Sequence, residues 1–189
     1  MKKLFAFLLV LTLAFSFSAC GKKKDKTAEN KVDLEYYAEL GQMPECDYKL
    51  GADPDEITEK LTAGESSAEA AGDEYPFTVT EGEKTVRIDN GDFVYYYEKA
   101  KKDKGISYII ATNKGYGFES GATILEIKNA LPELKYTEED VNDSNSFFLM
   151  GAIDGTVLKY TFENRVISFF FSANELTAVT LYDTDNWTE

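Results

Sequence analysis

The chain has 189 residues, a formal net charge of −14, 43% hydrophobic residues and no histidine. That composition suits a globular protein with a sizeable core rather than a disordered one. The acidity excludes a nucleic-acid binder, which needs basic patches. The missing histidine excludes Ser-His-Asp and Cys-His nucleophile systems and histidine-based zinc sites.

Met1-Lys2-Lys3, an apolar run from Leu4 and small residues before Cys20 read as an export signal over residues 1–19. The run is too short for a comfortable spanning helix, which needs ~20 apolar residues. Phe17-Ser18-Ala19-Cys20 resembles the bacterial lipoprotein lipobox, with phenylalanine where leucine usually stands. The resemblance implies cleavage before Cys20, a diacylglycerol thioether on its sulfur and fatty acylation such as palmitate. It puts the mature protein on the extracytoplasmic face of a bacterial cell membrane. An uncleaved anchor and an unlipidated signal cut after Ala19 are the alternatives, and Cys20 directly after Ser18-Ala19 argues against both. Two acyl chains hold better than one, because each buried methylene contributes ~0.8 kcal/mol.

Residues 20–31 have little to bury and read as a flexible tether. Lys22, Lys23, Lys24 and Lys26 suit an anionic headgroup layer, at ~1 kcal/mol per charge near the surface. Without the signal and the tether up to Asn30 the body carries a charge of about −18. With Cys20 acylated, Cys46 has no intramolecular partner and is expected as a lone buried thiol.

In chain order, residues 32–43 suggest a helix with Leu34, Tyr37, Ala38 and Leu40 on one face. Residues 51–61 predict a second helix, with Asp53 as N-cap, Pro54 at its first position, Glu56 completing a capping box, and Ile57 and Leu61 inward. Residues 62–74 read as a loop. Strands follow at about 77–80, 85–89, 93–99 and 106–112, with Asn90-Gly91 as a hairpin signal. Thr123 and Glu126 cap a third helix that turns Ile127 and Leu131 inward. Glu138-Glu139-Asp140 reads as a solvated turn. Strands are expected at about 147–153, 156–163, 166–172 and 177–182, with Asp154-Gly155 and residues 172–175 as turns.

Three segments repeat. Gly51, Ala52, Glu56, Ile57 and Leu61 recur as Gly121, Ala122, Glu126, Ile127 and Leu131, always 70 residues on. Ile106 to Thr112 lies over Leu176 to Tyr182 at the same offset, and Asn90 to Tyr97 over Asn164 to Phe171 at 74. The expected fold class is therefore α+β, with two tandem units, residues 32–113 and 114–189. Each would pack a short helix on an antiparallel meander sheet. A helix start of the form Gly-x-x-x-x-Glu-Ile-x-x-x-Leu before aromatic strands, duplicated in an exported chain, resembles the beta-lactamase inhibitory protein fold. It is also similar to the outer-membrane assembly lipoproteins of the SmpA/OmlA type. The likeness covers most of residues 48–183. The second helix of each unit and the inhibitory protein's disulfides have no counterpart here. The resemblance implies a concave sheet that binds protein partners, and transfers no contact residues.

No G-x-S-x-G, Walker loop or dinucleotide fingerprint occurs. Asp140-x-Asn142-x-Ser144 mimics the start of a calcium loop, but Asn145 and Gly151 stand where glycine and glutamate are required. No cofactor and no metal are expected. Two carboxylates suffice for a glycosidase, but so acidic a body offers plausible pairs by chance. Alternation puts Val86, Ile88, Tyr160 and Phe162 toward the helices, with Arg87 and Thr161 opposite. Phe93, Tyr95 and Tyr97 share one face, as do Ile167, Phe169 and Phe171; Val94, Tyr96, Ser168 and Phe170 take the other. An open second face would be an amphipathic patch for protein or sugar; a covered one would be core. Tyr96, Phe170 and Trp187 are the candidate binding residues. The expected function is a non-catalytic lipoprotein, held to the membrane through Cys20, that binds an envelope or secreted protein. A carbohydrate or cell-wall module is the alternative, and a carboxylate hydrolase a third.

Overall fold

Strands with one apolar face need a common layer that buries all those faces together. The computed structural model, which describes residues 32–112, 114–141 and 154–187, meets this need with one antiparallel sheet. Its strands are β1 (Thr78–Glu81), β2 (Thr85–Asp89), β3 (Phe93–Glu98), β4 (Tyr108–Thr112), β5 (Thr137–Val141), β6 (Gly155–Phe162), β7 (Arg165–Ser172) and β8 (Glu175–Asp183). Their order in space is β1-β2-β3-β4-β8-β7-β6-β5. Two meanders are thus joined through their last strands, β4 and β8. The fold is α+β, with three α-helices among the described residues: α1 (Leu34–Leu40), α2 (Pro54–Ala71) and α3 (Ile124–Ala130). None of these is long and apolar enough to cross a membrane.

All three helices pack on one face. Leu34 and Ala38 of α1, Ile57 and Leu61 of α2, and Ile127 and Leu131 beside α3 join Phe93, Tyr95, Ile109, Ile167, Phe169 and Leu181 in one buried cluster. Val86 and Ile88 are buried with this alternation, Tyr160 belongs to the cluster, and Phe162 packs against it. The helix starts follow the capping chemistry of their sequences. Asp33 Oδ1 accepts from the Tyr36 N–H (3.0 Å), and Asp53 Oδ1 from the Asp55 N–H (2.9 Å). At α3 the expected capping box forms in full: Glu126 N–H donates to Thr123 Oγ1, and Thr123 N–H donates back to Glu126 Oε2. The corresponding box at α2 does not form, because Glu56 reaches Lys60 instead, at 2.7 Å.

Turn chemistry explains the meanders. Asn90 N–H donates to the Phe93 carbonyl, while Asn90 Oδ1 accepts from the Phe93 N–H (2.8 Å), closing the β2–β3 hairpin. Ala173 and Asn174 both have positive φ, 50° and 68°, the requirement of a two-residue hairpin of type I′, and they join β7 to β8. The longer β3–β4 connection is a 3-10 helix, Lys99–Lys104, that ends on Gly105. A Cβ at Gly105 would lie 2.5 and 2.6 Å from the carbonyl oxygens of Gly51 and Ala52, so only glycine fits there.

Three further expectations change. Residues 62–74 are not a loop: α2 continues to Ala71 and stops at Gly72, which has a left-handed φ of 80°. Ala63, Ala68, Ala70, Ala71 and the glutamates favour helix without packing, and only Pro54, Ile57 and Leu61 of this helix are buried. Glu138-Glu139-Asp140 is not a turn but part of edge strand β5. Lys128 holds Glu138 at 2.6 Å and Lys159 holds Glu139 at 2.9 Å, which tethers a charged edge that resists further pairing. Leu40 points to solvent instead of joining Leu34 and Ala38. The strand expected at 147–153 lies outside the described residues, as do residues 1–31, Cys20 among them, and most of the calcium-like loop.

Helix α1 is bound to the sheet by a charge-assisted cap. Arg165 Nη1 donates to the Ala38 and Glu39 carbonyls, at 2.7 and 3.0 Å, and so places a cation at the carbonyl end of the helix, where the Gly41 N–H also donates to Ala38. Arg165→Ala should lower the stability measured by urea unfolding by about 1–3 kcal/mol. Arg165→Lys, which has no planar fork, should recover only part of it. An alanine variant as stable as the parent would rule out this anchor.

Candidate functional site

The site is the sheet face turned away from the helices. Cross-strand registers lay it out in rows. Arg87, Tyr96, Tyr108, Tyr182 and Val166 stand side by side across β2, β3, β4, β8 and β7. The next row runs Asp89, Val94, Ile110, Thr180, Ser168 and Lys159. A third holds Thr112, Ala178, Phe170 and Val157. Neighbours in such a row have Cβ atoms ~4.5–5.5 Å apart and interact directly.

The tyrosine row is a ladder of rings. Tyr108 and Tyr182 stack at 5.1 Å with 9° between planes, and Tyr96 meets Tyr108 edge-on at 6.3 Å. Trp187, four residues beyond β8, covers this ladder, 5.1 Å from Tyr108 and 6.0 Å from Tyr96. Val94, Tyr108, Ile110, Val166, Ala178, Tyr182 and Trp187 form a second buried cluster, against which Tyr96 and Phe170 pack half-buried. The sequence's three candidates therefore meet on one face. Trp187 is neither frayed nor open; it is 4% exposed. Tyr96 and Phe170 keep part of their rings in solvent.

Polar groups lie within this apolar face. The Arg87 guanidinium pairs with the Asp89 carboxylate. Burial raises the Tyr96 phenol above its ordinary value, and neighbouring Arg87 draws it partly back. At the centre, Ser168 Oγ and Thr180 Oγ1 are fully buried and make no hydrogen bond among the described residues. Sequence reasoning singled out Tyr96 and Phe170 but not Arg87, Tyr108, Thr180 or Tyr182 as their neighbours. Alternation within each strand carries part of that signal; the β4–β8 register supplies the rest.

The helix-side core holds a second polar group of interest, a thiol among phenols. Cys46 is buried and free of disulfides, as its lone occurrence in the body suggests. Its thiol donates to the Tyr48 carbonyl (3.0 Å) and lies 3.4 Å from Tyr95 Oη. Burial pushes the Cys46 thiol up, more than these two hydrogen bonds pull it down, and it lifts the Tyr95 phenol far above its usual range. Both groups stay protonated at neutral pH, so the pair is a poor nucleophile. Tyr116, in the Gly115-Tyr116-Gly117 turn with φ of 53°, is buried nearby, and its hydroxyl has no hydrogen-bond partner among the described residues. No group of three or more histidine, cysteine, aspartate or glutamate residues among those described is placed to hold a metal ion.

Comparison of the chain with protein-family models, with curated proteins and with solved structures gave no match.

A buried hydroxyl without a partner carries a desolvation cost of about 1–3 kcal/mol. Thr180→Val, which removes the hydroxyl at nearly constant volume, should raise the urea midpoint without changing the slope of the transition. A lower midpoint would mean that the hydroxyl has a partner in solution.

Proposed function

We propose that this protein is a non-catalytic lipoprotein, held by acyl chains on Cys20 outside the cytoplasm. Its sheet binds a protein partner at the face centred on Tyr96 and Phe170. The gathering of Tyr96, Phe170 and Trp187 on one face, away from the helices, carries this reading. Rings spent on that face are not needed to seat the helices. Tyr96 and Phe170 keep accessible edges beside the Arg87–Asp89 pair, a mixture typical of protein-binding surfaces.

The reading includes duplication of an ancestral helix-and-meander unit, and several paired features support it. The Ile106 N–H donates to the Ala52 carbonyl at 2.9 Å, and the Leu176 N–H to the Ala122 carbonyl at 2.9 Å. Gly51 and Gly121 take left-handed φ values of 82° and 84° before their helices. Tyr48 meets Tyr95 edge-on at 5.6 Å, as Phe118 meets Phe169 at 5.6 Å. Tyr95 stands opposite Ile109, and Phe169 opposite Val179. Each second member follows the first by the 70 or 74 residues at which the sequence repeats. At the seam, Ile110 faces Thr180, its own counterpart. Such an arrangement agrees with the partner-binding sheet that the sequence resemblance implies.

Lipid anchoring predicts that Cys20→Ser moves the protein from the membrane fraction to the soluble fraction; full membrane retention would reject the anchor. Partner binding predicts that a photo-reactive phenylalanine in place of Phe170 yields a protein adduct in intact cells, reduced several-fold by Tyr96→Ala. No adduct, with binding to purified peptidoglycan instead, would select the cell-wall reading.

A further inference from the structure

We propose that β1 is a docking edge, at which an extended, lysine- or arginine-bearing segment of the partner protein adds to the sheet as one more strand. This rests on the partner-binding reading and specifies a second point of contact and the charge of its occupant. β1 ends the sheet on one side, and all four of its residues are exposed. The ladder shows which of its backbone groups can pair further. The Gly82 N–H donates to the Thr85 carbonyl at 2.9 Å. Bonded and non-bonded pairs alternate along an antiparallel ladder, so Thr80–Arg87 and Thr78–Asp89 are the bonded pairs of β1 and β2. The Lys99 N–H, which donates to the Lys84 carbonyl at 2.8 Å, fixes the same alternation from the β3 side. Val79 and Glu81 therefore turn their N–H and C=O groups outward, the row that an added strand takes up. Among the described residues nothing bonds to these outward groups.

The two edges of the sheet differ. β5 presents Glu138, Glu139 and Asp140 in succession, a charged guard that keeps other strands away. β1 reads Thr-Val-Thr-Glu: its first three residues favour strand, and its one charge, Glu81, is held by Lys99 at 2.9 Å. Thr80 stands in one row with Arg87 and Tyr96, so a strand beside β1 carries its side chains onto the margin of the aromatic face. The surroundings choose the occupant. From residue 73 to 83 the chain has four exposed acids, Asp73, Glu74, Glu81 and Glu83, and no basic residue. Lys84 and Lys99, at the turn end, offset part of this charge and leave it negative. A second copy of the chain brings the same acids against these and is repelled. A strand bearing lysine or arginine is attracted.

The probe is the peptide Lys-Thr-Val-Thr-Val-Thr-Lys, blocked at both ends and added to the intact protein in mild detergent. Amide hydrogen exchange is read residue by residue. In the free protein Val79 and Glu81 should exchange fast, and Thr78 and Thr80 more slowly. Saturating peptide should slow Val79 and Glu81 at least about tenfold and leave Thr78 and Thr80 unchanged. The same peptide with glutamates for lysines should bind several-fold more weakly, and one N-methylated throughout should give no protection. Val79→Pro removes an outward N–H that an edge strand can spare, so it should keep the circular dichroism of the sheet and lose the protection. No protection at Val79 and Glu81, or equal protection by the acidic peptide, would overturn the proposal. Protection that grows with protein concentration without peptide would make a second copy the occupant and overturn it too. If Val79→Pro does not fold, the N-methylated peptide decides, and protection by it would overturn the proposal. Phe170 adducts without peptide protection would reject this inference alone; missing adducts would reject the partner-binding reading beneath it.

Discussion

The pairing of β4 with β8 is the constraint on which the rest of the molecule depends. It joins the two meanders at the centre of the sheet, and these two strands are the most deeply buried of the eight. Because side chains alternate with a period of two, this register decides the faces of both halves together. It sends Ile109, Val179 and Leu181 toward the helices and Tyr108, Ile110 and Tyr182 away from them. A slip of one residue in β8 would turn Leu181 outward and break the Tyr108–Tyr182 stack.

With both meanders presenting their apolar sides alike, the three helices can share one core. The edges are then left to strands that can stand in water. β1 is exposed throughout, and β5 carries three consecutive acids, of which Glu138 and Glu139 are restrained by lysines on α3 and β6. Those acids also contribute to the negative charge of the body, which favours solubility and says little about the ligand. The helices are not equivalent. α2 runs 18 residues while α3 runs seven, and α2's last turns rest on helix propensity rather than burial.

The face away from the helices has a different character. Its rings are packed as in a core, yet two hydroxyls at its centre, on Ser168 and Thr180, are buried without partners among the described residues. A face selected only for packing has no use for them, because valine or alanine would fill the same volume at lower cost. The polar pair Arg87–Asp89 beside Tyr96 adds to this mixture. Aromatic bulk, polar groups and half-exposed margins together distinguish this side from the helix-side core.

The proposed export signal, lipid on Cys20 and tether rest on sequence alone, on composition over short windows. The helix starts at Asp53 and Thr123, the Asn90-Gly91 hairpin and the inward Ile57, Leu61, Ile127 and Leu131 were legible because capping, turn preference and helical period act over a few residues. The α2 extension was missed because alanine and glutamate form helix without leaving an apolar stripe. The β5 strand was missed because paired lysines distant in sequence hold its acids in place. Within strands, alternation sorted Tyr95 from Tyr96 and Phe169 from Phe170, but could not say which set is buried, since both faces carry rings. That choice, and the meeting of Tyr96, Tyr108, Tyr182 and Trp187, belong to tertiary structure. Local chemistry determined the elements and their faces; the long-range β4–β8 register decided which faces came together, because pairing between strands 70 residues apart depends on the whole buried surface and not on any one segment.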